Sequence, residues 1–323
     1  MADACRRLVV PISTHLMTSP LISVVVPTCG RPDLLARCLD RLAPGVQTLP
    51  ADDYEVIVTD DARQSCEEWL RERYPWAIWN AGPRRGPAAN RNSGARRARG
   101  NWIAFIDDDC LPSIKWLAAY AAALTDDCQV YEGRTTCEAG VTSPLYTSPV
   151  NLTGGYLWSC NMLVQTDTFA HLGGFDEHYP YPYLEDVDFR ERLVASGREF
   201  RFFPEAVVDH PPRAIAGPAQ LARYHMSYFY HWSNRRESGP FTLRLLMLIL
   251  KSRIRILLHY PPSIDSVLAV VNSGLELVWT APRSIAADLR RLFGTRANSP
   301  KRLSMASLTP TSLDGKSTAP NNE

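Results

Sequence analysis

A chain of 323 residues, 45% of them hydrophobic, has ample material for a core and forms one large domain or two of ordinary size. Its 35 Lys and Arg against 34 Asp and Glu leave a formal charge of +1, which removes any whole-surface electrostatic case for nucleic acid. Eight scattered cysteines, with no C-x-x-C pair, fit free thiols in a reducing, cytoplasmic compartment better than a disulfide or zinc framework.

The first twenty residues read as a flexible extension. Arg6 and Arg7 precede a short apolar run that Pro11 breaks, a poor signal peptide, and Met17 is a second candidate start. Residues 21–26 are continuously apolar and β-branched, as expected for a strand buried on both faces; Pro27 stops it and Thr28, Cys29 and Gly30 form the loop. Pro32 suits the first turn of a helix with Leu34, Leu35, Cys38, Leu39 and Leu42 on one face. A second strand over 54–59 ends at Asp60 and Asp61, and Ser65 with Glu68 predicts a capping box for a helix through Trp69 and Leu70. A short third strand follows over 76–80. Pro87 opens a helix to about Ala98, and 101–106 is a fourth strand. This alternation predicts βαβ units and a parallel sheet, which binds ligands at the carboxyl ends of its strands. Thr28, Asp61 and the run Asp107, Asp108, Asp109 all fall there.

That acidic run carries the chemistry. Three adjacent carboxylates repel one another, and the next basic residue along the chain is Lys115. A divalent cation with hard oxygen ligands relieves the repulsion, and such an ion usually also contacts phosphate. A solvated acidic turn is the alternative for the triplet taken alone.

The second half changes character. Strand signals at 129–135 and 158–165 flank a Pro/Gly/Thr-rich loop over 139–155. Gly173 and Gly174 lead into Phe175, Asp176 and Glu177, then an aromatic loop over 178–183. Glu185, Asp186 and Asp188 open a helix that Gly197 closes; these acids suit its positive end, and Asp186 with Arg190 has the spacing of a surface ion pair. Two short strands, 199–203 and 206–209, precede His210 and the extended exit of Pro211 and Pro212.

The order of these parts resembles the inverting family 2 glycosyltransferases of GT-A fold. The matching pieces are Ser23-Val24-Val25-Val26-Pro27-Thr28, Val58-Thr59-Asp60-Asp61, Asn90-Arg91-Asn92-Ser93-Gly94, the acidic triplet, Gly173-Gly174-Phe175-Asp176-Glu177, and Leu184-Glu185-Asp186. They span 21–210. The resemblance implies an α/β GT-A fold: a Rossmann-like, mostly parallel sheet with helices on both faces. It implies a donor pocket lined by Pro27, Thr28, Asp61 (to the base) and Arg91. Asp108 would face the ribose, with Asp107 and Asp109 near a Mn²⁺ or Mg²⁺ ion, Asp109 the direct ligand and His210 completing the site. Asp186 would be the general base and Glu185 its support. The partners implied are a nucleotide-diphosphate sugar, UDP- or dTDP-linked, and a glycan or lipid-linked acceptor. Cys29-Gly30 and Ala62-Arg63 depart from the family pattern around the base and ribose, leaving the nucleotide open.

Two other functions share parts of this pattern. A metal-dependent nucleotidyltransferase also uses strand-end carboxylates, but residues 27–33 hold no lysine-bearing Gly-rich phosphate loop. A non-catalytic carbohydrate-binding or scaffold protein would have no need of Asp109, Asp186 and His210 together.

The domain expectation is a catalytic unit over 21–235, with its nucleotide-sugar half at 21–110 and acceptor half at 111–235. A helical extension follows over 236–296, then a disordered tail rich in Ser, Thr, Pro and Asn over 297–323. Residues 241–260 are apolar but carry Arg244, Lys251, Arg253 and Arg255, which argues against a bilayer-spanning helix. The pattern fits either a helix on an anionic membrane surface or one packed on the catalytic unit.

Overall fold

The computed structural model describes residues 20–293 except positions 126 and 236, so the expected extension up to residue 19 and the expected tail over 297–323 lie outside the described residues. In chain order the first half comprises β1 (Ile22–Thr28), α1 (Pro32–Leu42), β2 (Tyr54–Asp60), α2 (Glu67–Arg73), β3 (Ile78–Ala81), α3 (Pro87–Ala95) and β4 (Trp102–Phe105). Then come β5 (Leu111–Pro112), α4 (Trp116–Ala123), β6 (Val130–Thr136), β7 (Tyr146–Thr147), β8 (Met162–Gln165), α5 (Thr166–His171), α6 (Glu185–Ala195), β9 (Arg201–Asp209) and β10 (Arg213–Ala214). Four helices close the described chain: α7 (Pro218–Tyr224), α8 (Met226–Asn234), α9 (Phe241–His259) and α10 (Ile264–Phe293).

Eight strands form one sheet in the order β3-β2-β1-β4-β8-β6-β9-β5, and β7 pairs with β10 in a small ribbon. The first four strands are parallel. β8 runs antiparallel to both β4 and β6, and β9 is parallel to β6. Two reversals therefore return β6 and β9 to the direction of β1. The carboxyl ends of β1, β2, β4 and β9 thus share one edge, although residues 105 and 209 are far apart in sequence. The expected GT-A-type architecture is what forms: a mostly parallel sheet covered by helices on both faces, plus C-terminal helices.

Alternation along the strands builds the two core layers. Val24, Val26, Val56, Val58 and Ala104 pack on α1, α2 and α4. Val25, Ile103, Phe105 and Val164 pack on the opposite face with Phe169 and Phe189 of α5 and α6. Burial on both faces explains why these strands read as unbroken apolar runs. α3 lies so close to β1 and β2 that a Cβ on Gly94 would sit 2.4 Å from Val25 Cγ1 and 3.0 Å from Thr59 Cγ2. That approach requires glycine at this point of the Asn90–Gly94 segment.

Three local expectations need correction. α2 has no capping box: its N-cap is Cys66, whose N–H donates to Asp60 Oδ2 at 2.8 Å, while Ser65 Oγ takes the Glu67 N–H at 3.0 Å. The strand expected from residue 158 begins only at Met162, after a turn that bonds Asn161 N–H to Trp158 O at 3.1 Å. The two strands expected around Pro204 are one. β9 pairs Phe203 with Gly133 and then Val207 with Arg134, so residues 204–206 bulge from the ladder.

Asn161 fills that irregularity. Its Nδ2 donates to Arg134 O and Ala206 O at 3.0 Å each, and its Oδ1 accepts Trp116 Nε1 at 2.9 Å and Tyr120 Oη at 2.8 Å. A buried amide with every valence used fixes β6, β9 and α4 to one another.

Candidate active site

The strand-end edge gathers the expected site residues from β1, β4 and β9, and α6 brings two more from the opposite side. The acidic triplet is not unpaired, as the chain-neighbour argument implied. Three arginines distant in sequence reach it: Arg31 from the loop after β1, Arg91 from α3 and Arg213 from β10.

Each aspartate has its own environment. Asp107 Oδ1 accepts Arg91 Nη2 at 2.5 Å. Burial alone would raise the Asp107 carboxyl, but the Arg91 guanidinium outweighs it and holds that carboxyl below the ordinary range. Asp108 is fully buried. It accepts Thr28 Oγ1 at 2.6 Å and pairs with Arg31 through both Nε and Nη2. Burial still pushes its carboxyl up to about 7, with Arg31 and Thr28 pulling the other way.

Asp109 is the odd one of the three. Its Oδ2 faces Arg31 at 3.3 Å and Arg213 at 3.5 Å, but its Oδ1 is buried with no hydrogen-bond partner. His210 Nε2 lies 3.6 Å from that Oδ1. His210 Nδ1 lies 3.0 Å from Pro211 O, and a carbonyl only accepts, so in the neutral ring Nδ1 carries the proton. Nε2 then presents a lone pair toward a carboxylate oxygen. Two acceptors facing one another are satisfied by a cation between them.

The ligand atoms of Asp109, Cys110 and His210 all lie within 4.8 Å of one another. Burial and Cys160 push the Cys110 thiol well up, so it stays protonated and suits a hard cation poorly. Asp109 and His210 thus fit Mn²⁺ or Mg²⁺, whereas Asp107 is turned to Arg91 and stands outside the cluster. His210 is held in place on both sides: its N–H donates to Thr136 O at 2.8 Å, and its carbonyl accepts Ser148 Oγ at 2.6 Å.

Arg91 bridges the strand ends and α6. It is 5% exposed and donates Nη1 to Glu185 Oε1 at 3.1 Å while Nη2 holds Asp107. One forked guanidinium therefore ties the strand-end triplet to the first turn of α6. Leu184, just before that turn, has φ of +72°, a left-handed conformation rare for a bulky residue. This kink starts the helix at Glu185, and Asp186 in its first turn is half-buried. The Asp186–Arg190 surface pair, the alternative that the spacing allowed, does not form; Arg190 Nη1 donates to Gly155 O at 2.8 Å instead. Burial and then the Glu185 charge push the Asp186 carboxyl up to about 7.

The remaining donor-side expectations occupy the same edge. Asp61 follows β2 and accepts the N–H groups of Arg84 and Gly86 at 2.8 and 3.3 Å, shaping the loop ahead of α3; burial raises its carboxyl. Pro27 and Thr28 close β1. Asn90 and Asn92 point into protein: Asn90 Nδ2 donates to Thr59 O at 2.9 Å, and Asn92 brackets the Phe175 backbone at 2.8 and 2.9 Å. Sequence reasoning missed Arg31, Arg213 and Glu132. Glu132 is buried under the 151–157 loop and accepts the N–H groups of Gly155, Tyr156 and Leu157. Only Arg31 carried a local signal, a cation in the first strand-end loop.

Residues 23–155 match the model of Glycosyl transferase family 2. The match covers somewhat under half of the chain. The match includes the triplet, Asp61 and Arg91 and stops before Glu185, Asp186 and His210. Glycosyltransferase AglE of Haloferax volcanii is 24% identical over 61% of this chain and 68% of its own length. Validoxylamine A glucosyltransferase of Streptomyces hygroscopicus subsp. jinggangensis is 28% identical over 55% of this chain and 52% of its own. The chain thus spans about half to two-thirds of these relatives. Among solved structures, the mannosyltransferase PcManGT from Pyrobaculum calidifontis, in complex with GDP-Man and Mn²⁺, shares 18% identity over 85% of this chain and 88% of that one, with a TM-score of 0.49. The family 2 resemblance expected from the motifs has a matching family model and glycosyltransferase relatives behind it.

Proposed function

We propose that this family 2 enzyme moves a sugar from a nucleotide-diphosphate donor to a hydroxyl of a glycan or lipid-linked acceptor, with inversion at the anomeric carbon. What supports the reading is one guanidinium: Arg91 joins Asp107, two residues before Asp109, to Glu185, the neighbour of Asp186. Asp186 is a carboxylate of raised basicity, so a cation site and a base flank that guanidinium. Donor and acceptor ends of a displacement need those two functions on opposite sides.

The donor lies along the strand ends. Asp61 meets the base, and Pro27 and Thr28 line the same pocket. Asp108 serves the ribose side by holding Arg31 and Thr28 in place. Asp109 and His210 hold the divalent ion, which as a Lewis acid offsets charge on the leaving diphosphate. Arg31 and Arg213 stand beside Asp109 with exposed guanidinium ends and add fixed positive charge there. Asp107 keeps Arg91 in position.

The acceptor hydroxyl is a weak nucleophile and loses its proton as it attacks. Asp186 takes that proton; burial and the neighbouring Glu185 raise its carboxyl to about 7, near the working pH of a cytoplasmic enzyme. Glu185 is paired with Arg91 and positions the base. The carbon–oxygen bond to the diphosphate breaks as the bond to the acceptor oxygen forms, through an oxocarbenium-like transition state. A single displacement inverts the centre. Free thiols at all seven described cysteines agree with a reducing compartment.

The test is nucleotide release from a panel of UDP-, dTDP- and GDP-sugars with Mn²⁺ or Mg²⁺. Cation-dependent release from one donor is expected. No cation-dependent binding of any donor contradicts the proposal.

A further inference from the structure

α10 buries the wrong face for a helix on a water-exposed surface. Glu276, Thr280, Ser284 and Asp288 recur every four residues and are buried against the protein. Glu276 sits 2.6 Å from both His225 Nε2 and Arg253 Nη2, and Asp288 accepts the Thr242 N–H at 2.8 Å. The opposite face carries Val267, Val271, Leu275, Val278, Ile285 and Leu289, each between 44% and 66% exposed. Among the described residues α10 is the one helix long and apolar enough to cross a bilayer by length and composition. Its usual polarity is inverted: polar stripe inward, apolar stripe outward.

α9 repeats the outward pattern. Phe241, Leu245 and Ile249 are buried against α8 and α10, while Leu243, Met247, Leu250, Ile254 and Leu258 form an exposed stripe. Arg244, Lys251 and Arg255 run along one margin of that stripe, and α9 contains no acidic residue. On α10, Arg283 and Arg290 line a margin of the apolar face, whereas Glu276 and Asp288 are buried. Lys251, Arg255 and Arg290 are exposed, with no ion pair among the described residues.

We propose that α9 and α10 form a monotopic docking surface for an anionic lipid bilayer. α10 lies in the interface with its apolar face embedded, and Lys251, Arg255 and Arg290 sit at the headgroups. Exposed apolar stripes on both helices, with Lys251, Arg255 and Arg290 at their margins and free of ion pairs among the described residues, match such a surface in both hydrophobicity and charge. A second copy of the chain fits poorly, because a two-fold interface sets each patch against itself and brings these cations together. Crossing the bilayer also fits poorly. It would strip Glu276 and Asp288 from their partners and carry them into hydrocarbon. Docking in the plane keeps every one of those pairs. The C-terminal helices also tie to two loops of the sheet domain: Ser227 Oγ of α8 donates to Tyr181 O at 3.0 Å, and Tyr260 Oη, just after α9, to Val141 O at 3.2 Å. The surface stands independently of which sugar is transferred.

The test is flotation of the full chain with vesicles of equimolar phosphatidylcholine and phosphatidylglycerol, against vesicles of phosphatidylcholine alone. The protein is expected to float with the mixed vesicles and to be released from them by alkaline carbonate. Replacing Lys251, Arg255 and Arg290 by Gln lowers partitioning by roughly fivefold per cation, on the order of a hundredfold in all. Val271→Asp with Val278→Asp abolishes it, Val278→Leu retains it, and donor affinity with circular dichroism shows all variants folded. A monomer that stays with neither vesicle overturns the proposal. So does a dimer that Val278→Asp dissociates, or a protein that resists carbonate.

Discussion

His210 Nε2 and Asp109 Oδ1 face each other at 3.6 Å, and the carboxylate oxygen of that pair is buried without a hydrogen bond. Asp109 lies in the turn between β4 and β5, and His210 follows β9. Their approach follows from the pairing of β5 with β9, which sets Leu111 opposite Asp209.

Removing either half should therefore act on the cation before it acts on anything else. Asp109→Ala and His210→Ala are expected to weaken Mn²⁺-dependent nucleotide binding by about 10- to 100-fold. The fold should stay intact, because neither side chain ties elements of the core. Calorimetric titration of Mn²⁺ and nucleotide, with thermal unfolding alongside, measures both. Unchanged cation affinity in both variants would exclude the pair as ligands.

The raised Asp186 carboxyl sets a pH dependence. A base works when deprotonated, so kcat/KM should rise with pH, by about tenfold per unit on the acidic side, and level off above about 7. Glu185 contributes to the upward shift after burial, so Glu185→Gln should move the rise to lower pH. A rise displaced to higher pH would reverse the assigned electrostatics.

Gly82 tests the donor-side loop. A Cβ there would lie 2.2 Å from Asp61 Oδ1, 2.5 Å from Asn90 Oδ1 and 2.8 Å from the Asp60 carbonyl oxygen. The backbone oxygen cannot swing away, so Gly82→Ala should displace the loop at a cost of about 1–3 kcal/mol. Donor affinity should fall while Mn²⁺ binding at the other end of the site is kept. Calorimetry with nucleotide separates the two, and an unaltered donor affinity would remove Asp61 from the pocket.

Asn161 is a stability prediction. Asn161→Leu fills similar volume but orphans Trp116 Nε1, Tyr120 Oη and two backbone carbonyls. With each buried group left unpaired costing about 1–3 kcal/mol, a loss of at least about 3 kcal/mol is expected in denaturant unfolding. A loss below about 1 kcal/mol would mean the network contributes little.

Much of this was legible in the chain. β1, β2 and β4 announce themselves as apolar runs because both their faces are buried, and the acidic triplet marks where β4 ends. Motif order then named Arg91, Glu185, Asp186 and His210 as parts of one site. What stayed hidden depends on distant pairing. Nothing near residue 107 in sequence reveals that Arg31, Arg91 and Arg213 neutralise the triplet. The 204–206 bulge is visible only in the register of β6 against β9. Periodicity showed the cations in α9, but no pattern tells that α10 turns Glu276 and Asp288 inward until His225, Arg253 and Thr242 are seen to receive them. Leu184 adopts its left-handed backbone without a glycine to signal it.

The central claim is a division of labour between cation binding at Asp109 and His210 and proton removal at Asp186. Nucleotide-sugar binding and single-turnover transfer, measured together for Asp109→Ala and Asp186→Asn, test it most directly. Asp186→Asn should bind donor with cation-dependent affinity like the unaltered enzyme while transfer falls by about 10²- to 10⁴-fold, and Asp109→Ala should lose the cation-dependent binding itself. Transfer by Asp186→Asn at the unaltered rate, or undiminished cation-dependent binding by Asp109→Ala, would contradict the account.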